Sequence, residues 1–252
     1  MEFIVYTLSE LVFISLIITA FFTSMLTASL GAGGGILMLG VIAQVMPPQL
    51  VIPIHGIIQL GSNAGRASMS WRSIDWNVIV AFLPGAVIGS AIGLLVLITL
   101  STAMMYLLIS GFILFLCWGP KLPKIALGKI GISFASLTTT FLTLFVGATG
   151  PLVGAFIKRI HADKQKTIAT FAAIMTLQHS CKIAVFGYTG FNITPWIPLL
   201  ICMILSGALG TWVGLRLSKK IPDKHFHLMF NILLSLLALR LIWQAIGLLS
   251  QE

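Results

Sequence analysis

Apolar runs about twenty residues long, separated by short polar gaps, organise almost the whole chain. A bilayer core of about 30 Å needs roughly 20 apolar residues for one helical crossing. By that measure the pattern predicts helical segments over 3–28, 33–46, 50–70, 76–98, 101–118, 128–157, 166–188 and 193–215, with a ninth over 226–249. The second is too short to cross alone, so it either extends the first or forms half of a re-entrant element. The expectation is an all-α polytopic membrane protein with about eight membrane segments. The chain begins Met1-Glu-Phe with no basic leader and no small-residue cleavage site before its first apolar run, which reads as a retained helix rather than a removed signal peptide.

Composition sharpens this picture. Of 252 residues, 58% are hydrophobic and 8% charged, against roughly 25% charged in a soluble domain. A chain so poor in charge cannot build a hydrated surface, and its mean hydropathy of +1.06 agrees. The net charge of +9 comes from basic residues that are mostly gathered in the gaps between apolar runs. Cytoplasmic loops of membrane proteins carry that bias, so no nucleic-acid partner is implied and the lipid bilayer is. Cys117, Cys181 and Cys202 sit singly in apolar stretches, without metal or disulfide spacing. No cofactor is expected. The six tryptophans (Trp71, Trp76, Trp118, Trp196, Trp212 and Trp243) lie mainly near segment ends, as interfacial belts require.

A break at Gly119–Gly128, through Gly-Pro-Lys-Leu-Pro-Lys, divides the chain almost in half, into 1–120 and 121–252. The halves resemble each other. Gly31-Ala-Gly-Gly-Gly answers Gly147-Ala-Thr-Gly-Pro, and a step of 116 residues carries Asn63 and Arg66 onto His179 and Lys182. Gly89-Ser-Ala-Ile-Gly93 matches Gly210-Thr-Trp-Val-Gly214. Basic residues follow non-equivalent segments in the two halves: Arg72, Lys121, Lys124 and Lys129 in the first, then Lys158, Arg159, Lys164, Lys166, Arg216, Lys219, Lys220 and Lys224 in the second. The halves therefore read as inverted repeats.

Candidate chemistry falls in two places. The glycine clusters at Gly31–Gly35, with Gly33 and Gly34, and at Gly147–Gly150, with Thr149, will unwind a helix locally, and Pro151 adds a missing donor. Unwound backbone in hydrocarbon is tolerated where it is buried or lines a wet cavity, and broken helices aim N–H groups at anions. Close helix packing is the competing reading of the same glycines. Gly85, Gly89 and Gly93, like Gly210 and Gly214, are spaced for packing alone. The second place is the segment after each cluster. His55, Gln59, Asn63 and Arg66 share one helical face, as do Gln178, His179 and Lys182, with Thr167 and Thr170 lower on the same helix. Intramembrane charge is functional by default, although Arg66 and Lys182 could also snorkel to headgroups. Cations, imidazoles and amides without a carboxylate suit an oxyanion rather than a cation. His55 and His179 are either structural hydrogen-bonding groups or proton carriers, which leaves proton coupling open. His161, His225 and His227 fall in basic loops and need no special role.

The ordered runs Gly31-Ala-Gly-Gly-Gly-Ile-Leu and Pro53-Ile-His-Gly-Ile-Ile-Gln-Leu-Gly-Ser-Asn resemble the first module of the TauE/SafE sulfite exporter family. Gly147-Ala-Thr-Gly-Pro-Leu, Ala169-Thr, Gln178-His-Ser-Cys-Lys, Phe186 and Gly190-Phe resemble its second module. The resemblance implies a multi-pass permease of the bacterial inner membrane for sulfite, organosulfonates or related anions, with its site around the two glycine breaks. The expected mechanism is alternating access about a central small-anion site. An anion channel and a membrane subunit without transport are the alternatives. An intramembrane enzyme would need a nucleophile–base pair or a metal set, and His55 and His179 have no carboxylate or cysteine at suitable spacing.

Overall fold

The computed structural model describes residues 8–30, 33–97, 100–120, 128–161, 163–217 and 224–250. Ten α-helices run along these residues, with two short 3-10 turns at Trp71–Ser73 and Thr194–Trp196. They are α1 (Glu10–Leu30), α2 (Gly34–Val45), α3 (Pro48–Met69), α4 (Trp76–Leu97), α5 (Thr102–Trp118), α6 (Lys129–Val146), α7 (Gly150–Ile160), α8 (Lys164–Tyr188), α9 (Ile197–Leu217) and α10 (Lys224–Leu249). No strand occurs among the described residues. Gly31, Lys121, Lys124, Lys219 and Lys220 lie outside them.

The segment expected over 128–157 is two helices, because the chain breaks at Gly147–Thr149. Gly147 turns the backbone to φ +79°, which side chains resist, and Pro151 occupies the first turn of α7, where its missing N–H leaves no bond unmade. Six helical stretches are long and apolar enough to cross a bilayer: Glu10–Ser29, Trp76–Leu97, Lys129–Val146, Gln165–Tyr188, Thr194–Gly214 and Asn231–Leu249. Helices α2, α5 and α7 are shorter, with 12, 17 and 11 residues. Helix α3 has 22 residues but carries His55, Gln59, Asn63 and Arg66, and it is screened by α8, α9 and α2.

Outward faces are apolar at helical spacing, as lipid requires. Leu11, Ile14, Ile18 and Phe22 make such a face on α1, and Ile197, Ile201, Leu205 and Leu209 make one on α9. Trp71, Trp76 and Trp118 stand exposed at helix ends, but Trp196 is buried, so its role is packing rather than interfacial anchoring. His225 and His227 belong to the first turn of α10 rather than to a loop.

The main helix pairs are α1 with α9, α4 with α6, α3 with α8 and α5 with α10. Small residues set two of them. A Cβ added at Gly85 would lie 1.9 Å from the Ser133 carbonyl oxygen, and one at Gly89 would lie 2.4 Å from that of Leu137, so α4 and α6 touch backbone to backbone. Gly210 and Gly214 do the same on α9, 2.1 Å and 2.3 Å from the carbonyl oxygens of Phe21 and Met25. Hydroxyls cross these seams: Ser136 Oγ donates to the Phe82 carbonyl at 2.6 Å and Ser206 Oγ to that of Ile17 at 2.8 Å.

The turn between α3 and α4 is tied to α7 and α8. Asp75 N–H donates to Thr170 Oγ1 at 2.9 Å, and the Asp75 carboxylate meets Lys166 Nζ at 3.2 Å and His161 Nε2 at 3.6 Å. The His161 side chain is 7% exposed, so this residue helps close the helix ends instead of standing free in a basic loop. Partial burial pushes the Asp75 carboxyl up. The hydrogen bond and charge of Lys166, with the Asn77 N–H and His161, more than offset that and hold it below its usual range.

Two tests follow from this packing. Gly85→Ala and Gly210→Ala should each cost about 1–3 kcal/mol through overpacking against backbone, read as a lower unfolding midpoint in detergent. Gly247→Ala, where an added Cβ meets nothing within 4 Å, should match the wild type or exceed it by up to about 1 kcal/mol. Because the Asp75 carboxyl is depressed in the fold, its contribution exists above its unfolded value of about 3.9 and fades as pH falls through the folded one. Asp75→Asn should therefore lower the midpoint at pH 7 and converge on the wild type only as pH falls from about 3.9 through the lower, folded value. A gap between the two that persists unchanged at acid pH would remove the carboxylate from the argument.

Candidate functional site

The short helices α2 and α7 each start at a glycine break, and at the first of these breaks backbone approaches backbone. Gly33 caps α2 with φ +105°, and a Cβ on Gly34 would lie 1.8 Å from the Thr23 carbonyl oxygen of α1. Between the breaks lies a cavity of about 40 Å³, room for about three water-sized molecules. One side comes from α3 and is polar, with His55, Gln59 and Asn63 one turn apart. The facing side comes from α8, where Phe171 and Met175 are apolar and His179 is polar. Gly33, Gly35 and Ile36 of the first break and Ala148, Gly150 and Pro151 of the second close the cavity, with Thr27 of α1. None of the lining residues is a carboxylate.

Two devices hold the polar side chains. His55 Nε2 lies 2.9 Å from the Gly35 carbonyl. A carbonyl only accepts, so that nitrogen carries the proton and Nδ1 is left as an acceptor in the neutral ring. The His55 and His179 rings meet edge to face at 6.0 Å, and the Nδ1 atom of each is buried without a hydrogen-bond partner. Asn63 Nδ2 donates to the Gln59 carbonyl at 2.8 Å and lies 3.4 Å from Gln59 Oε1, which fixes the two amides together.

Gln178, Thr149, Lys182 and Gly147 lie outside the lining and support the second break. Thr149 Oγ1 donates to Gln178 Oε1 at 2.8 Å, while Gln178 Nε2 donates to the hydroxyls of Thr139 and Thr140 at 3.2 and 3.3 Å. Lys182 Nζ donates to the Gly147 carbonyl at 2.6 Å, and Thr143 Oγ1 reaches the same oxygen at 3.3 Å. Lys182 is wholly buried, and its stem packs where a Cβ on Gly56 would lie 2.9 Å from it. Arg66, three residues past Asn63, gives one bond from Nη2 to Ser62 Oγ at 3.2 Å and keeps a buried Nε without a partner. Gly34 supports α2 against α1 and does not line the cavity. The structure thus brings Gly33, His55, Gln59, Asn63, Gly150 and His179 around one space, with both cations beyond it.

Several lining residues escape a search for polar side chains. Phe171 and Met175 are apolar, yet they stand 116 residues after His55 and Gln59, the interval that relates Asn63 to His179. The hydroxyls of α6 were also legible: Thr23, Ser24 and Thr27 recur at that interval as Thr139, Thr140 and Thr143. Among the described residues, no group of three His, Cys, Asp or Glu side chains is placed to hold a metal ion.

Comparison with known proteins gives two findings. The family model described as sulfite exporter TauE/SafE matches residues 16–241. The chain is similar to a probable inner membrane transporter protein, TsaS, of Comamonas testosteroni, with 25% identity over 199 residues that cover 77% of this chain and 81% of that protein. No solved structure matches.

Proposed function

The chain belongs to the TauE/SafE sulfite exporter family, and from that premise we propose that it carries a small sulfur oxyanion or organosulfonate by alternating access. It is a membrane transporter rather than an enzyme, and its place is the bacterial inner membrane. The observation that carries the substrate reading is the lining of the cavity. His55, Gln59, Asn63 and His179 face it from α3 and α8, no carboxylate does, and the starts of α2 and α7 border it. The first N–H groups of a helix have no intrahelical partner and sit at its positive end, which suits an anion with several acceptor oxygens.

Alternating access rests on two like halves, 1–120 and 121–252, rocking about that cavity. Supporting this, α2 and α7 begin 116 residues apart, as do α3 and α8. Exchanging the five helices of one half for those of the other turns the α1–α9 pair into α6–α4 and maps α3–α8 and α5–α10 onto themselves. Inversion of the halves is part of the same reading. So is proton coupling, favoured by the two unpartnered Nδ1 atoms of His55 and His179 beside the cavity.

The test is uptake of radiolabelled sulfite and small sulfonates into proteoliposomes. Saturable flux is expected, stimulated by an imposed pH gradient. Losing one hydrogen bond to a charged ligand costs about 1.5–3 kcal/mol, so Asn63→Leu should raise the half-saturating concentration about 10- to 150-fold. Flux of these anions unchanged in Asn63→Leu and in His179→Leu would remove the cavity as the site.

A further inference from the structure

Arg66 and Lys182 are buried cations on two helices that line the cavity, and neither lines it. Their placement follows from how α3 and α8 run. His55 faces His179, and Gly56 packs on Lys182. Farther along α3, Ala67 clusters with Ala169 and Ala172, and beyond the end of α3 Asp75 bonds Thr170. Positions that advance on α3 thus retreat on α8, and the helices are antiparallel.

The cavity is lined by α3 from His55 to Asn63 and by α8 from Phe171 to His179. Arg66 comes three residues after the first stretch and Lys182 three residues after the second. At 1.5 Å per residue each lies about 4.5 Å past the last lining residue of its own helix. Because the helices oppose each other, those two positions fall on opposite sides of the cavity.

Both cations are buried, at 6% and 0% exposure, and neither forms an ion pair with an acid among the described residues. An uncompensated buried charge is costly, and an arriving anion would relieve it. The two differ in state. The Arg66 Nε has no partner, whereas Lys182 is closed onto the Gly147 carbonyl at the second break.

We propose that Arg66 and Lys182 are two separate anion stations, one on each side of the central cavity, rather than two halves of one binding site. An oxyanion that approaches from one membrane face meets Arg66, and one that approaches from the other meets Lys182. The conformation described here has the Lys182 station shut, and opening it requires the ammonium to leave the Gly147 carbonyl for the anion. This rests on the anion-carrier reading above.

Sidedness of access tests it. Arg66→Cys and Lys182→Cys are made singly in the full chain after Cys117, Cys181 and Cys202 are replaced by alanine. Sealed vesicles of known orientation are treated from each face with an impermeant, cationic trimethylammonium methanethiosulfonate, which an anion carrier does not move. The expected result is labelling of Arg66→Cys from one face only and of Lys182→Cys from the opposite face only. Labelling of both from the same face, of either from both faces, or of neither would overturn the proposal. Should either variant not fold, Ser70→Cys at the end of α3 and Phe186→Cys on α8, each four residues farther along the chain, take their place with the same expected sidedness. The outcomes separate from those of the carrier reading. Opposed sidedness without flux of any sulfur anion counts against the substrate alone, and retained flux with same-sided labelling counts against the two stations alone.

Discussion

Interrupted backbone in hydrocarbon must find internal hydrogen-bond partners, since water is not there to supply them. The environment of the two breaks is organised by that demand. At the second break the Gly147 carbonyl receives Lys182 and Thr143, while Thr149 leans on Gln178, which is itself held by Thr139 and Thr140. At the first, the Gly35 carbonyl receives His55. The polar content of α3, α6 and α8 is thus largely explained before any substrate is considered. What remains over is the Arg66 Nε–H, a donor that can turn toward an anion, and the Nδ1 atoms of His55 and His179, of which that of neutral His55 is an acceptor and can face an anion only after taking up a proton.

The surrounding helices make this core tolerable. Tight seams between α4 and α6 and between α1 and α9 need no side chain at the contact, because glycine lets carbonyls take its place. The outer faces can then be largely apolar, and α3, too polar to face lipid, is enclosed. The tie from Asp75 to Lys166, His161 and Thr170 closes the same bundle at a helix end, where charge is affordable.

Much of this was legible in the sequence, and the exceptions have physical reasons. Helical segments, the glycine seams and the polar face of α3 follow from periodicity, and family membership followed from two ordered modules. The break within 128–157 was signalled by Gly147 and Pro151, but hydropathy counts apolar length and reads across it. Phe171 and Met175 were missed because an apolar residue on an apolar helix has no signal of its own; only their interval from His55 and Gln59 marks them. The role of Lys182 was hidden for another reason. A buried lysine reads as ligand-binding in one dimension, and only the fold shows the carbonyl it already holds.

The pairing of α1 with α9 has a consequence for how the protein is made. The end of α1 and the start of α9 are separated by 166 residues, so a helix that emerges early from the ribosome waits through most of synthesis for its partner. Its glycine-facing seam, with Phe21 and Met25, must meanwhile be covered by lipid or by the insertion machinery. Translation halted before α9 would leave α1 without its seam. Quality control in the cell would meet this chain as an unfinished assembly rather than as a folded fragment.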